Sequence, residues 1–194
     1  QLEVGHIGPE AAALHITAAQ AHTLIADGLS FVAHDNIAMD VGAGTTHLSN
    51  SLKDLEKLRV DAVALEAGAD LTIQLGDTDL HSAITGAVGD AGAGQLMPVF
   101  EGGGQVALEM GVSDLTADLG NLATSDAALL QARGITDINL TVADLDTLVD
   151  SNGDAVGSTL GQLATGADHL ADHNIALQLE VGHIGPEAAA LHIT

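Results

Sequence analysis

The sequence predicts an α/β fold, a solenoid of helix-strand-turn-strand repeats with parallel sheets, on three observations. Short runs of alternating apolar residues recur at near-regular spacing, helical signals separate them, and the first seventeen residues return letter for letter at the other end. Alternation with a period of two buries one face of a strand, whereas an apolar residue at every third or fourth position buries one stripe of a helix. Strands separated by helices cannot be joined as hairpins, so they are expected to lie parallel, each reached by a crossover.

The strands are IAMDV at Ile37–Val41, LTIQL at Leu71–Leu75 and VALEM at Val106–Met110, followed by INLTV from Ile138 and IALQL from Ile175. Their starts are 34, 35, 32 and 37 residues apart, about one supersecondary unit per step. This spacing predicts one solenoid segment over residues 1–194, made of about five degenerate units of 32–37 residues. A further strand, ALHIT from Ala13, recurs at Ala190–Thr194. Shorter apolar stretches precede three of the anchor strands: LSFVA before IAMDV, VDAVAL before LTIQL and LMPVF before VALEM.

Between the strands lie the helices. In TAAQAHTLIADG, Thr17 is placed to cap, Gln20 sits at the capping-box position and Gly28 ends the helix, with Leu24 and Ile25 as its apolar stripe. In SNSLKDLEKLRV, Leu52, Leu55 and Leu58 form the stripe, and Lys53, Glu56 and Lys57 face water. Two later segments, DLTADLGNLATSDAALLQARG and ADLDTLVDSNGDAVGSTLGQLATG, carry internal Gly and Ser, which predicts shorter or broken helices. A doubly wound sheet would use similar elements, but it gives no reason for the long identical repeat, so it stands second as a fold.

That repeat is QLEVGHIGPEAAALHIT, at Gln1–Thr17 and again at Gln178–Thr194, an offset of 177 residues. Its simplest cause is a parent chain with a 177-residue period, of which this segment holds one copy plus an overlap. The segment starts at Gln1 without Met, so the natural amino terminus and any secretion or anchoring signal are expected to lie outside it.

Composition narrows the function classes. Apolar residues make up 46% of the chain, enough for a core, yet Phe31 and Phe100 are the only aromatics. Small aliphatic side chains suit a thin interior between closely spaced layers. Twenty-seven acidic residues face only Lys53, Lys57, Arg59 and Arg133, a formal net charge of −23. Nucleic acid and anionic membranes are therefore repelled. No apolar run nears the ~20 residues that span a bilayer, so no membrane insertion is expected. The absence of cysteine fits a secreted bacterial protein that manages without disulfides, although cytosolic proteins also lack it.

The stretches AHTLIADGLSFVAHDNIAMDV and GTTHLSNSLKDLEKLRVDAVAL, within Ala21–Leu65, resemble repeats of giant secreted or surface proteins of proteobacteria, the adhesins and RTX-type large repeat proteins. The resemblance implies an extracellular or cell-surface, multi-repeat, non-catalytic module. The GGxGxD calcium turn of RTX repeats is absent: GDAGAG and EGGGQ lack its alternation of Gly and Asp.

The best metal candidate is DSNGD, where Asp150, Asn152 and Asp154 occupy the first three ligand positions of an EF-hand-like calcium loop. Ala155 stands where that loop needs Gly, and Gly161 where it needs a closing carboxylate, so a polar helix-ending turn accounts for the same residues better. GDTD at Gly76–Asp79 is equally ambiguous, since Thr78 or Asp79 could simply cap a helix starting near Leu80. His169 and His173 share a helical face, but two imidazoles do not close a zinc site, and His15 reads as an ordinary packed or surface histidine. There is no Cys nucleophile, G-x-S-x-G elbow, P-loop, H-E-x-x-H or G-x-G-x-x-G.

The expectation is thus a structural or adhesive tandem-repeat module of a large extracellular bacterial protein, not an enzyme, associating with itself end to end as a stalk or filament. The competing expectation is an adhesin module that binds calcium along with a ligand or surface; a third is an enzyme of doubly wound fold.

Overall fold

In the computed structural model, residues 12–32, 35–76, 80, 97–111, 122, 124–142 and 159–181 are described. The fold is mixed α/β with two parallel sheets. Sheet I runs in the order β1 (Leu14–Thr17), β2 (Ile37–Val41), β3 (Ala62–Leu65) and β5 (Val99–Gly102). Sheet II runs β4 (Leu71–Gln74), β6 (Val106–Gly111), β7 (Asp137–Val142) and β8 (Ala176–Val181). Strand order therefore follows chain order in both sheets, and every pairing is parallel.

Register stacks like on like. Ile16, Met39, Val63 and Phe100 lie side by side across sheet I, all buried. Ile73, Leu108 and Ile138, all buried, and the partly buried Leu177 lie side by side across sheet II. One continuous core joins these two rows to the apolar stripes of the helices. Parallel strands buried on one face and crossed by helices reach such a core only if every rung presents its apolar phase inward, and the alternation guarantees it.

Among the described residues the helices with assigned bounds are α1 (Ala18–Ala26), α2 (Leu52–Leu58), α3 (Thr124–Ala132) and α4 (Thr159–Ala171). Helix α1 has the expected capping box: the Gln20 N–H donates to Thr17 Oγ1 at 3.2 Å, and the Thr17 N–H donates to Gln20 Oε1 at 2.8 Å. Helix α2 carries the same device in Ser51 and Asp54. At seven residues α2 is too short to be stable alone, and its hold comes from burying Leu52, Leu55 and Leu58. Helix α4 runs unbroken through Gly161 and Gly166 for thirteen residues, while residues 143–158 of the segment expected to be shortened or broken lie outside the described ones. Each interior glycine costs ~1 kcal/mol, which packing offsets: Leu170 is fully buried and the helix lies on β8 and α3.

These four described helices close on the same turn. A left-handed residue (Gly28, Arg59, Gly134 or Asn174) follows each one. The next residue is always apolar, and its N–H reaches back to a helix carbonyl: Leu29 to Leu24, Val60 to Leu55, Ile135 to Leu130 and Ile175 to Leu170. This is a Schellman closure with its apolar contact.

The anchor strands do not form one series. Ile37–Val41 pairs with β1 and β3 in sheet I, whereas the LTIQL, VALEM, INLTV and IALQL strands make up sheet II. Partners along a sheet are accordingly 23, 24 and 37 residues apart in sheet I, and 35, 30 and 39 in sheet II. The alternation is the same on either sheet, so it shows which face is buried but not which layer receives the strand. After β2 the sheet II position is taken by a single bridge, His47 to Thr72, and LSFVA contributes Phe31 rather than a strand. The helix-strand-turn-strand order appears as expected at α2-β3-β4.

Candidate functional surface

The polar residues of sheet II are laid out by the same register that builds its core. Gln74, Glu109, Asn139 and Gln178 each follow the central apolar residue of their strand, so they stand in one row on the outer face. Thr72, Ala107, Asp137 and Ala176 form the neighbouring row. Strand spacing sets these side chains ~4.8 Å apart, close enough to hydrogen bond across the sheet.

A shallow groove of about 210 Å³ lies along these rows, lined by Asp70, Thr72, Gln105, Asp137, Asn139 and Gln178 among others. Its centre is Asp137, which is 5% exposed. A buried carboxylate needs its lone pairs satisfied, and both oxygens are: Thr136 Oγ1 donates to Oδ2 at 2.7 Å and Gln178 Nε2 donates to Oδ1 at 3.0 Å. The Val106 N–H in turn donates to Thr136 Oγ1 at 2.8 Å, tying the carboxylate to the backbone of β6. At the near end the Gln105 N–H donates to Asp70 Oδ1 at 3.3 Å. Asn139 Oδ1 is shielded from water and has no hydrogen-bond partner. The groove is a ladder of amide and carboxylate groups that can bond to one another or to hydroxyls and amides laid along it.

A second acidic feature lies where β2 and β3 begin. Asp61 Oδ2 accepts the Ile37 N–H at 2.9 Å, and Asp35 Oδ2 is buried without a partner. Burial raises the Asp61 carboxyl above its ordinary range and the nearby Asp35 charge adds to this, while the Ile37 hydrogen bond works the other way. Burial also raises Glu56, against the pull of Lys53 and Lys57.

The calcium candidates Asp150, Asn152 and Asp154 lie outside the described residues, as do Thr78 and Asp79 of GDTD. Among the described residues no three of His, Cys, Asp or Glu are grouped to hold a metal ion. His169 and His173 go to separate partners: His169 Nδ1 lies 2.6 Å from the Leu122 carbonyl oxygen, and His173 Nδ1 lies 3.3 Å from Gln131 Oε1. His173 thereby tethers α4 to α3. His15 is exposed and pairs with Asp40 at 2.7 Å. The glycines of EGGGQ serve packing: a Cβ at Gly102 would fall 2.1 Å from the Leu65 carbonyl oxygen and one at Gly104 1.5 Å from that of Ala69, because the β5-β6 turn rests on the β3-β4 turn.

The sequence reading missed the groove, although its signal was present in the polar residue that follows Ile73, Leu108, Ile138 and Leu177. No described helix is long and apolar enough to cross a membrane. Among known proteins, no family model, no curated protein and no solved structure matches the chain.

Proposed function

We propose that the chain is one period of a tandem-repeat solenoid, a non-catalytic structural or adhesive module of a large extracellular or cell-surface protein that associates end to end into a stalk or fibre. The observation that carries this reading is the strand order, in which each sheet grows by one neighbour at a time in chain order. Among the described strands such growth has no built-in stopping point. The matching helix closures at Gly28, Arg59, Gly134 and Asn174 support it, since they reuse one solution at four of the crossovers. The seventeen-residue identity at an offset of 177 residues supplies the longer period. The acidic load keeps a long array soluble.

Thermal unfolding with and without millimolar calcium, alongside electron microscopy of the same samples, tests the reading. An unchanged midpoint together with rods or filaments is the expected result. A large calcium-dependent rise would favour the calcium-adhesin alternative and point first to Asp150 and Asp154.

A further inference from the structure

Of the four edge strands, two are touched by the duplicated segment: among the described residues β1 is one edge of sheet I, opposite β5, and β8 is one edge of sheet II, opposite β4. β1 is LHIT, the letters that return at 191–194, and the last four residues of β8 are QLEV, the letters of residues 1–4. In a tandem array, the next copy's LHIT therefore follows β8 after only the nine residues Gly182–Ala190. Nine residues span at most roughly 30 Å, so the next copy must sit against the β8 end.

We propose that the end formed by β8 and α4 is a docking surface for a second copy of this chain, which presents β1 and the Thr46–Leu48 segment. This rests on the tandem-repeat reading and names its interface. In the second copy, Thr46–Leu48 is the outermost rung of sheet II. The Thr72 N–H donates to the Thr46 carbonyl at 2.7 Å, and the Leu48 N–H donates to the Thr72 carbonyl at 3.2 Å. Successive N–H groups of an extended chain point to opposite edges, so the His47 N–H faces outward. The same alternation applies to β1, where the Leu14 N–H donates inward to Asn36, leaving the His15 N–H on the open edge. In β8 the Ala176 N–H donates to Thr136, leaving that of Leu177 outward. Rows of unpaired donors and acceptors are templates for another strand. The contact joins unlike ends, so it can repeat from copy to copy, and where its rotation does not close into a ring it generates a filament. A net charge of −23 on each copy opposes it, so added salt promotes assembly by screening.

Sedimentation velocity of the full chain at low and high salt tests this, using His15→Pro with His47→Pro and, as a control, His15→Ala. Proline deletes an outward N–H without removing a backbone hydrogen bond described within the chain, and the alanine control accounts for the lost side-chain bond from His15 to Asp40. The expected result is a concentration-dependent series of species for the wild type and the alanine variant, stronger in salt. The proline pair should need a concentration higher by roughly tenfold or more for half-assembly. Assembly of the proline pair like the wild type would overturn the interface while leaving tandem growth standing. A wild type that stays monomeric at every salt and concentration would overturn the interface as well. If the proline pair does not fold, hydrogen exchange on the assembled wild type decides: protection gained at the amides of His15, His47 and Leu177 is expected, and its absence refutes the proposal.

Discussion

Replacing Gly134 with alanine should cost far more than replacing Gly28, although both close a helix in the left-handed region, at φ of 86° and 67°. The shared cost is conformational, ~1–2 kcal/mol for an L-residue held there. Around Gly28 nothing lies within 4 Å of an added Cβ, so Gly28→Ala should lose about 1 kcal/mol and little else. At Gly134 the added Cβ would fall 2.3 Å from the Phe100 carbonyl oxygen, a distance no backbone tolerates. The turn must move off β5, and the first casualty is the 2.8 Å hydrogen bond from the Phe100 N–H to the Arg133 carbonyl. Leaving such a donor unpaired costs ~1–3 kcal/mol, for a total near 3 kcal/mol. Urea unfolding in dilute solution measures both variants. Equal losses would refute the claim that this helix turn rests directly on sheet I.

Three further outcomes follow from the same geometry. Leu108→Ala, at the centre of the sheet II core row, should destabilise by ~2–5 kcal/mol, while Leu129→Ala on the exposed side of α3 should stay within ~0.5 kcal/mol. Ser51→Ala removes the cap of α2 and should cost ~1 kcal/mol by denaturant titration. Because burial raises the folded carboxyls of Asp61 and Glu56, the folded state holds more protons than the unfolded chain between the ordinary and the raised values. Their contribution to stability therefore falls as pH rises through that window and is recovered on acidification. Asp61→Asn should flatten the pH dependence of the unfolding midpoint, and an unaltered profile would count against the Asp35–Asp61 pairing.

Local structure was legible wherever it is decided locally. The Thr17 and Gln20 capping box, the Leu52-Leu55-Leu58 stripe and the strand phase of LTIQL and VALEM all follow from nearest-neighbour physics, and they appear where the residues place them. Layer assignment was not legible. IAMDV and LTIQL both place apolar residues at every second position, yet they join different sheets. Arg59 and Asn174 were also hidden, because a left-handed closure is readable at glycine but not at a residue that adopts it under tertiary constraint. The groove escaped for a related reason: Gln74, Glu109, Asn139 and Gln178 are unremarkable one at a time and become a row only through register.

The most direct test of tandem growth is small-angle X-ray scattering on chains carrying one, two and three 177-residue periods. Each sheet has four described strands, which at a spacing of ~4.8 Å set a constant step on the order of 20 Å or more per period in the maximum dimension, with unfolding midpoints rising as copies are added. Independent globules on flexible joints, with midpoints unchanged by copy number, would contradict the account.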